Sequence, residues 1–200
     1  MSWVEIAGFV TGAVCVWLAV RQNVWTYPIG ILNNIAFFVL FLGAGLYADM
    51  WLQVFYVAVA LHGWWSWLRG GLRHTALRVQ PTPRWGWPTV VVATAAGTLL
   101  AWWLLTRHTD STVPLADGLT TSMSVVAQFM LNRKWVANWL VWIAADVLYI
   151  GLYAAKGLLL TAFLYAGFLT MCVIGHRRWR VALARDGGRA SRPDAALVDR

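Results

Sequence analysis

The feature that most constrains this chain is a succession of apolar runs, each close to the length of a membrane-spanning helix, separated by short clusters of charge. A bilayer core about 30 Å thick is crossed by roughly 20 mainly apolar residues in helical form. Reading between the charges predicts seven spans: Trp3 to Val20, Pro28 to Tyr47, Ala48 to Leu68, Pro88 to Thr106, Leu115 to Leu131, Lys134 to Ala154 and Gly157 to His176. Composition agrees that lipid is the solvent. Hydrophobic residues make up 60% of the chain and charged residues 12%, against about 25% charged in a soluble domain. The first run lacks a basic leading region and a small-residue cleavage pattern, so it reads as a span and not as a signal peptide. Cys15 and Cys172 both sit in apolar runs and read as small buried hydrophobes, not as a disulfide.

Seven spans put the termini on opposite sides, and the basic residues choose the orientation. With the N-terminus outside, the cytoplasmic segments hold Arg21; Arg69, Arg73, Arg78 and Arg84; Arg133 and Lys134; and the seven arginines from Arg177 to Arg200. Only Arg107 and Lys156 of the 16 basic residues then fall outside. The net charge of +8 therefore flanks helices and calls for no nucleic-acid partner. Residues 181–200 read as a disordered cytoplasmic tail. Aromatic residues near predicted helix ends (Trp25 and Tyr27, Trp64 to Trp67, Trp85 and Trp87, Trp102 and Trp103, and Trp135) read mostly as interfacial anchors.

The chain also aligns with itself at an offset of 112 residues, without a gap. Glu5 then meets Asp117, Arg21 meets Arg133, Tyr27 meets Trp139, Asn34 meets Asp146, Gly63 meets Gly175 and Trp67 meets Trp179. The offset crosses an even number of spans, so both copies run the same way through the membrane. The predicted fold class is all-α integral membrane, seven transmembrane helices in a 3+1+3 parallel repeat of three-helix bundles. Residues 1–68 form the first bundle, 69–114 a cytoplasmic loop and linker helix, and 115–180 the second bundle. Secondary transporters use repeats of this kind, with substrate near the midplane between the halves.

Polar groups at membrane depth are costly and face a bundle interior or a wet cavity. Asp146 lies about 18 Å along its span at 1.5 Å per residue, close to the midplane. Asn138, Trp142, Asp146, Tyr149 and Tyr153 share one face of that helix. Thr121, Ser124 and Gln128 form a second polar stripe. Gln53, Tyr56, Ala60, Gly63 or Trp64, and Trp67 form a face of span three, and Asn33, Asn34, Phe37 and Phe41 belong to span two. His62 reads as a packing residue, and Glu5, Asp49 and Asp117 as outer-surface residues. No phosphate-binding G-x-x-x-x-G-K-[ST] loop, H-E-x-x-H or Cys/His ligand set occurs, and no nucleophile–base pair is visible at depth. The expectation is no enzyme, no cofactor and no metal.

Two stretches carry a family resemblance: Trp25 to Gly71, with YPIGI, LYADMWLQVFY and GWWSWL, and Asp117 to Trp179, with AQFMLNRK, NWLVWIAAD and LYAAKGL. They resemble the PnuC family of vitamin transporters for nicotinamide riboside or nicotinamide mononucleotide. The resemblance implies a SWEET-like fold in a bacterial inner membrane, with the N-terminus periplasmic and the C-terminus cytoplasmic. It also implies facilitated diffusion of an unphosphorylated vitamin that a cytoplasmic kinase then traps. The family's binding positions fall on Gln53, Tyr56, Gln128, Trp142, Asp146 and Tyr149. Asn34 joins them as a hydrogen-bonding residue, and Gly63, Trp64 and Trp67 match a gating or structural motif.

Such a site suits nicotinamide riboside, whose cationic ring can stack on Trp142 or Tyr149 while Asp146 balances its charge. Thiamine and riboflavin are the alternative substrates, and a membrane enzyme or receptor using Asp146 is the alternative class. The expected partners are the vitamin, the bilayer and the downstream kinase, and a homo-oligomer is compatible with the sequence.

Overall fold

The computed structural model of the protein describes residues 3–43, 45, 47–109, 113–155 and 157–190, and the side chains of these apart from residues 3–6, 47–49 and 187–190. The side chains of Glu5 and Asp49, and all of Lys156, lie outside that set. Seven α-helices occupy the described residues: α1 (Trp3–Val20), α2 (Thr26–Gly43), α3 (Tyr47–Arg69), α4 (Gly86–His108), α5 (Pro114–Asn132), α6 (Asn138–Ala155) and α7 (Leu159–Ala190). A short 3-10 turn, Leu72–His74, follows α3. By length and apolarity alone, α2, α4, α6 and the Leu159–Asp186 stretch of α7 are long and apolar enough to cross a membrane, and Ala7–Val20 is a shorter apolar helix.

Three boundaries differ from the sequence reading by four residues or more. α2 ends at Gly43, where its span was expected to run to Tyr47. α6 begins at Asn138 and not at Lys134, because Lys134 takes a left-handed φ of 50° that a helix cannot continue through. α7 runs on to Ala190, whereas its span was expected to end at His176 and residues 181–200 to be disordered; residues 191–200 of that tail lie outside the described residues. No proline interrupts it before Pro193, so the backbone hydrogen bonds that begin in the apolar segment carry on through the arginine-rich one.

α1 and α5 end in the same way. Past α1, the Gln22 N–H donates to the Ala19 carbonyl (2.9 Å) and the Asn23 N–H to that of Leu18 (2.8 Å), with Gln22 at φ 55°. Past α5, the Lys134 N–H donates to Leu131 (2.9 Å) and the Trp135 N–H to Met130 (3.0 Å). Both are helix-terminating turns of the 6→1, 5→2 kind, and corresponding residues stand 112 positions apart. Gly45 and Gly157, at φ 72° and 73°, close the turns after α2 and α6 at the same offset.

Packing follows that correspondence. α2 packs on α1 and α3, and α6 packs on α5 and α7; α3 also meets α5, α7 meets α1, and α4 lies against α5. Two tryptophans tie the groups together. The Trp67 indole N–H on α3 donates to the Leu131 carbonyl on α5 at 3.0 Å, and that of Trp179 on α7 donates to Ala19 on α1 at 3.2 Å. Each indole is met edge-on by a second ring, Tyr27 on Trp67 at 5.2 Å and Trp139 on Trp179 at 5.4 Å. These four rings, with Ala19, Val20, Leu131 and Cys172, form the main buried core. Tyr27, Trp67 and Trp135 are thus core residues and not interfacial anchors. Trp25, Trp65, Trp85, Trp87, Trp102 and Trp103 stay exposed, as anchors should.

The α3–α4 loop straps this core. Leu77 and Val79 are buried in it, and the Leu77 N–H donates to the Trp67 carbonyl at 3.0 Å. Gln80 pairs with the α5–α6 turn, its N–H donating to Lys134 O (2.9 Å) and its carbonyl accepting from Val136 N–H (3.0 Å). The Lys134 side chain is buried beneath the strap with Nζ 4.3 Å from the Trp67 ring centroid.

The core leaves no room at two glycines. A methyl group on Gly63 would lie 2.5 Å from a Tyr27 ring carbon and collide with the Asn132 side chain, and one on Gly175 would lie 2.7 Å from the Trp139 ring. Gly63→Ala and Gly175→Ala should each cost about 1–3 kcal/mol through overpacking, read as a lower unfolding temperature in detergent. Gly167→Ala, where nothing lies within 4 Å, should be neutral or gain up to about 1 kcal/mol of helix propensity.

Burial lowers the Lys134 ammonium from its ordinary 10.5 to about 8. Between those values the unfolded chain holds a proton that the folded protein has released, so stability should rise with pH across that window. Below pH 8 both states are protonated and the cost of burying the charge is fully present. Lys134→Met should therefore be more stable than the parent at pH 7. The difference should shrink from pH 8 to pH 10.5 in chemical unfolding.

Candidate functional site

A cavity of about 310 Å³ lies where α1, α5, α6 and α7 converge with the start of α2. Its floor is the core itself, since Ala19, Leu131 and Trp139 belong to both. One wall is small and weakly polar, made by Gly12, Cys15 and Val16 of α1. The opposite wall carries Ser124 and Gln128 of α5 and Trp142, Asp146 and Tyr149 of α6. Tyr165, Phe168 and Cys172 of α7 complete the lining, with Thr26 at the start of α2.

Asp146 is 4% exposed and opens onto this space. Its Oδ2 accepts the Cys172 S–H at 3.4 Å, and no cationic side chain among the described residues neutralises it. On α5, the Ser124 hydroxyl donates to Thr120 O at 2.9 Å, and Gln128 Nε2 donates to Asn132 Oδ1 at 3.0 Å. Asn132 is fully buried behind the wall. Its Oδ1 also accepts from the Tyr27 hydroxyl (3.0 Å), and its Nδ2 donates to the Val59 carbonyl on α3 (2.9 Å).

An aromatic series borders the cavity on α6 and α7. Tyr149 and Tyr165 stand 4.7 Å apart between centroids, Tyr165 and Tyr153 5.3 Å, Tyr165 and Phe168 5.8 Å, and Phe168 meets Phe9 of α1 at 5.3 Å. A half-enclosed space with aromatic walls, one buried carboxyl group and a few placed polar atoms has the features of a small-molecule site. A flat cation suits it best, because ring faces and a carboxylate both attract positive charge. No three His, Cys, Asp or Glu side chains gather for a metal ion among the described residues.

Of the seven residues expected to bind substrate, Gln128, Trp142, Asp146 and Tyr149 line this cavity together. Asn34, Gln53 and Tyr56 do not; all three are half-buried on α2 and α3. The polar face of α2 turns to a separate groove instead, where Asn33 accepts from the Thr11 hydroxyl at 3.0 Å. Thr121 is also outside the lining, and Tyr153 stands behind it in the tyrosine cluster. Among the expected gating residues, Gly63 and Trp67 sit in the core beneath the cavity and Trp64 packs against it. His62 is exposed and stacks on Phe129 with 6.4 Å between ring centroids.

Sequence reasoning missed the α7 wall, and Cys172 is a partner of Asp146 and not merely a small hydrophobe. The available signal was the helical spacing of Tyr165, Phe168, Cys172 and Trp179 on one face. It also missed the small-residue face Gly12, Cys15, Val16 and Ala19, which lets α7 and α5 approach α1 around an open space.

Comparisons with known proteins agree with this geometry. The family model described as "Nicotinamide mononucleotide transporter" matches residues 2–181. The nicotinamide riboside transporter PnuC of Escherichia coli (strain K12) is 27% identical over 95% of this chain and 90% of its own length. The riboflavin/roseoflavin transporter RibM of Streptomyces davaonensis is 28% identical over 92% of this chain and 87% of its own. The crystal structure of the vitamin B3 transporter PnuC superposes with a TM-score of 0.68 at 27% identity, covering 92% of this chain and 83% of that one. Seven helices in a matching arrangement, around a lined and half-enclosed cavity, accompany a family match over nearly the whole described chain, and the protein belongs to the nicotinamide mononucleotide transporter family.

Proposed function

We propose that this protein is a facilitator that moves nicotinamide riboside across a bacterial inner membrane by alternating access, with all seven helices spanning the bilayer. The observation that carries the proposal is the cavity in which Trp142, Tyr149 and Tyr165 stand around a buried carboxyl group that no cationic side chain among the described residues neutralises. A cationic pyridinium ring satisfies both features, and the ribose hydroxyls find acceptors on Gln128 and Asp146. Gln53, Tyr56 and Asn34 lie outside the cavity as it stands; on this reading they meet the ligand only when α3 and α2 move during transport.

The 3+1+3 arrangement of parallel bundles belongs to the same proposal. Supporting it, the turns after α1 and α5, the turns after α2 and α6, and the Trp67–Leu131 and Trp179–Ala19 hydrogen bonds all correspond at one offset of 112 residues. The basic residues at the strap, at the α5–α6 turn and along α7 favour a cytoplasmic position for these ends. The aromatic core would then close the site from the cytoplasm, with the N-terminus periplasmic. On this reading movement is downhill, and net uptake depends on a cytoplasmic kinase that removes the product.

A flavin is the second reading, favoured by the likeness to RibM. The two substrates differ in charge, and the uncompensated carboxyl group favours the cation.

Counterflow in liposomes with labelled nicotinamide riboside, thiamine and riboflavin tests these readings. Exchange of nicotinamide riboside without an imposed gradient is the expected outcome. Riboflavin exchange alone would establish the flavin reading, and no exchange with any of the three would remove the transport reading. Trp142→Ala should raise the apparent KM about 2- to 30-fold, as loss of about 0.5–2 kcal/mol of cation–π attraction requires. Asp146→Asn should weaken nicotinamide riboside at least as much while leaving any binding of an uncharged flavin little changed.

A further inference from the structure

The cavity's hydrogen-bonding polarity follows from where its donors are already spent. The Thr26 hydroxyl donates to the Cys15 carbonyl at 2.9 Å, and the Cys15 thiol to the Thr26 carbonyl at 3.5 Å. The Ser124 hydroxyl is given to Thr120 O and the Cys172 thiol to Asp146. A hydroxyl has one proton, so Ser124 and Thr26 can offer a ligand only lone pairs.

Gln128 is the one non-aromatic lining residue that could present either a donor or an acceptor, and a chain of contacts decides which. The Val59 carbonyl can only accept, so Asn132 must turn its amide nitrogen toward it. The Asn132 carbonyl oxygen then faces α2 and α5, where it accepts from Tyr27 and from Gln128 Nε2. Gln128 therefore commits one N–H to the protein, which fixes the orientation of its amide and leaves its carbonyl Oε1 without a protein donor among the described residues.

We infer that the non-aromatic wall of the cavity is dominated by acceptors, and that Asn132, which does not line the cavity, sets this polarity by holding one N–H of the Gln128 amide and so fixing where its carbonyl oxygen stands. Asn132 is a positioning residue for substrate selection, and the site selects a ligand rich in N–H and O–H donors. The inference rests on the reading of the cavity as the transport site. It adds a criterion that charge alone does not supply: a cation without donors fits the aromatic rings but leaves this wall unpaired. Leaving a buried acceptor without its donor is what lets a polar site reject close analogues strongly.

The test is equilibrium binding to the full-length protein in lipid nanodiscs. The ligands are nicotinamide riboside and analogues that each lack one donor: the carboxamide as its methyl ester, and the 2′- and 3′-hydroxyls each replaced by fluorine. In the parent protein at least one analogue should bind about tenfold more weakly than nicotinamide riboside. In Asn132→Leu, where the Gln128 amide is free to turn, that penalty should fall to about twofold or less. Asn132→Ala provides the same comparison if the larger side chain is not accommodated beside Gly63, and Gln128→Met should erase the same penalty without disturbing the core.

Tyr27→Phe separates positioning from stability. It removes the other donor to the same Asn132 oxygen, so it should lower the unfolding temperature yet keep the full analogue penalty. Unchanged penalties in the Asn132 and Gln128 variants, or none in the parent, would overturn this inference while leaving the substrate assignment intact. Failure of nicotinamide riboside itself to bind the parent would overturn the substrate assignment, and this inference with it.

Discussion

A helix that ends inside a protein leaves carbonyl groups without partners, and the way α1 and α5 meet that demand organises the rest of this molecule. Each ends in a tight turn that occupies part of its last carbonyls with its own backbone. The Ala19 and Leu131 oxygens each accept a further hydrogen bond from a tryptophan of a distant helix. Each such bond is worth about 0.5–1.5 kcal/mol net, which is small. Its larger effect is geometric. A planar indole can reach the carbonyl only if α7 is held against α1 and α3 against α5, and the edge-on rings of Trp139 and Tyr27 then have one place to go, over Gly175 and Gly63. Helix pairing, core packing and the two glycines are consequences of one capping arrangement used twice.

The same arrangement makes the cavity. Because the indole contacts draw the helices together at the end marked by Arg21 and Arg133, and the α3–α4 strap seals that end with Leu77 and Val79, the bundle is dense there. Farther along, the small side chains of α1 fail to fill the space facing α5 and α6. A protein core would close such a gap with a large aliphatic side chain. Here polar and aromatic groups surround it, and Asp146 is kept at its edge at the cost of burying a carboxyl group with only a thiol for company. A cost of that size is understandable if the missing partner is the ligand.

Much of this was legible in the sequence because it rests on period and charge. Apolar run length placed all seven helices, six of them within about four residues at both ends, and the helical spacing of Trp142, Asp146 and Tyr149 put them on one face, where they are. What escaped depends on partners distant in the chain. Trp67 looks like an interfacial anchor until one knows which carbonyl it reaches, and Lys134 looks like the first residue of a span until its φ is known. Asn34, Gln53 and Tyr56 have the right chemistry on the right kind of helix, but rotation about the helix axis, which local pattern fixes only loosely, takes them out of the lining. The α7 wall was missed for the converse reason: Tyr165, Phe168 and Cys172 carry no charge, and in an apolar helix such residues look like lipid contacts.

Correspondence between the two halves also explains why the cavity is not symmetrical. At the 112-residue offset, Gly12 and Val16 stand where Ser124 and Gln128 stand, Ala60 where Cys172 does, and Asn34 where Asp146 does. The backbone turns and the tryptophan contacts survive the exchange, since they depend on main-chain carbonyls and two glycines. The site chemistry does not, since it depends on side chains that the capping arrangement leaves free to differ. On the proposed reading, a scaffold with one polar wall would receive an asymmetric ligand in a single orientation. Two equivalent polar walls would bind the same ligand in two ways, and a carrier that must release it gains nothing from the second. The asymmetry is therefore expected of a carrier for a small molecule with one flat ring and one polar end, and it arises without altering the contacts that hold the halves together.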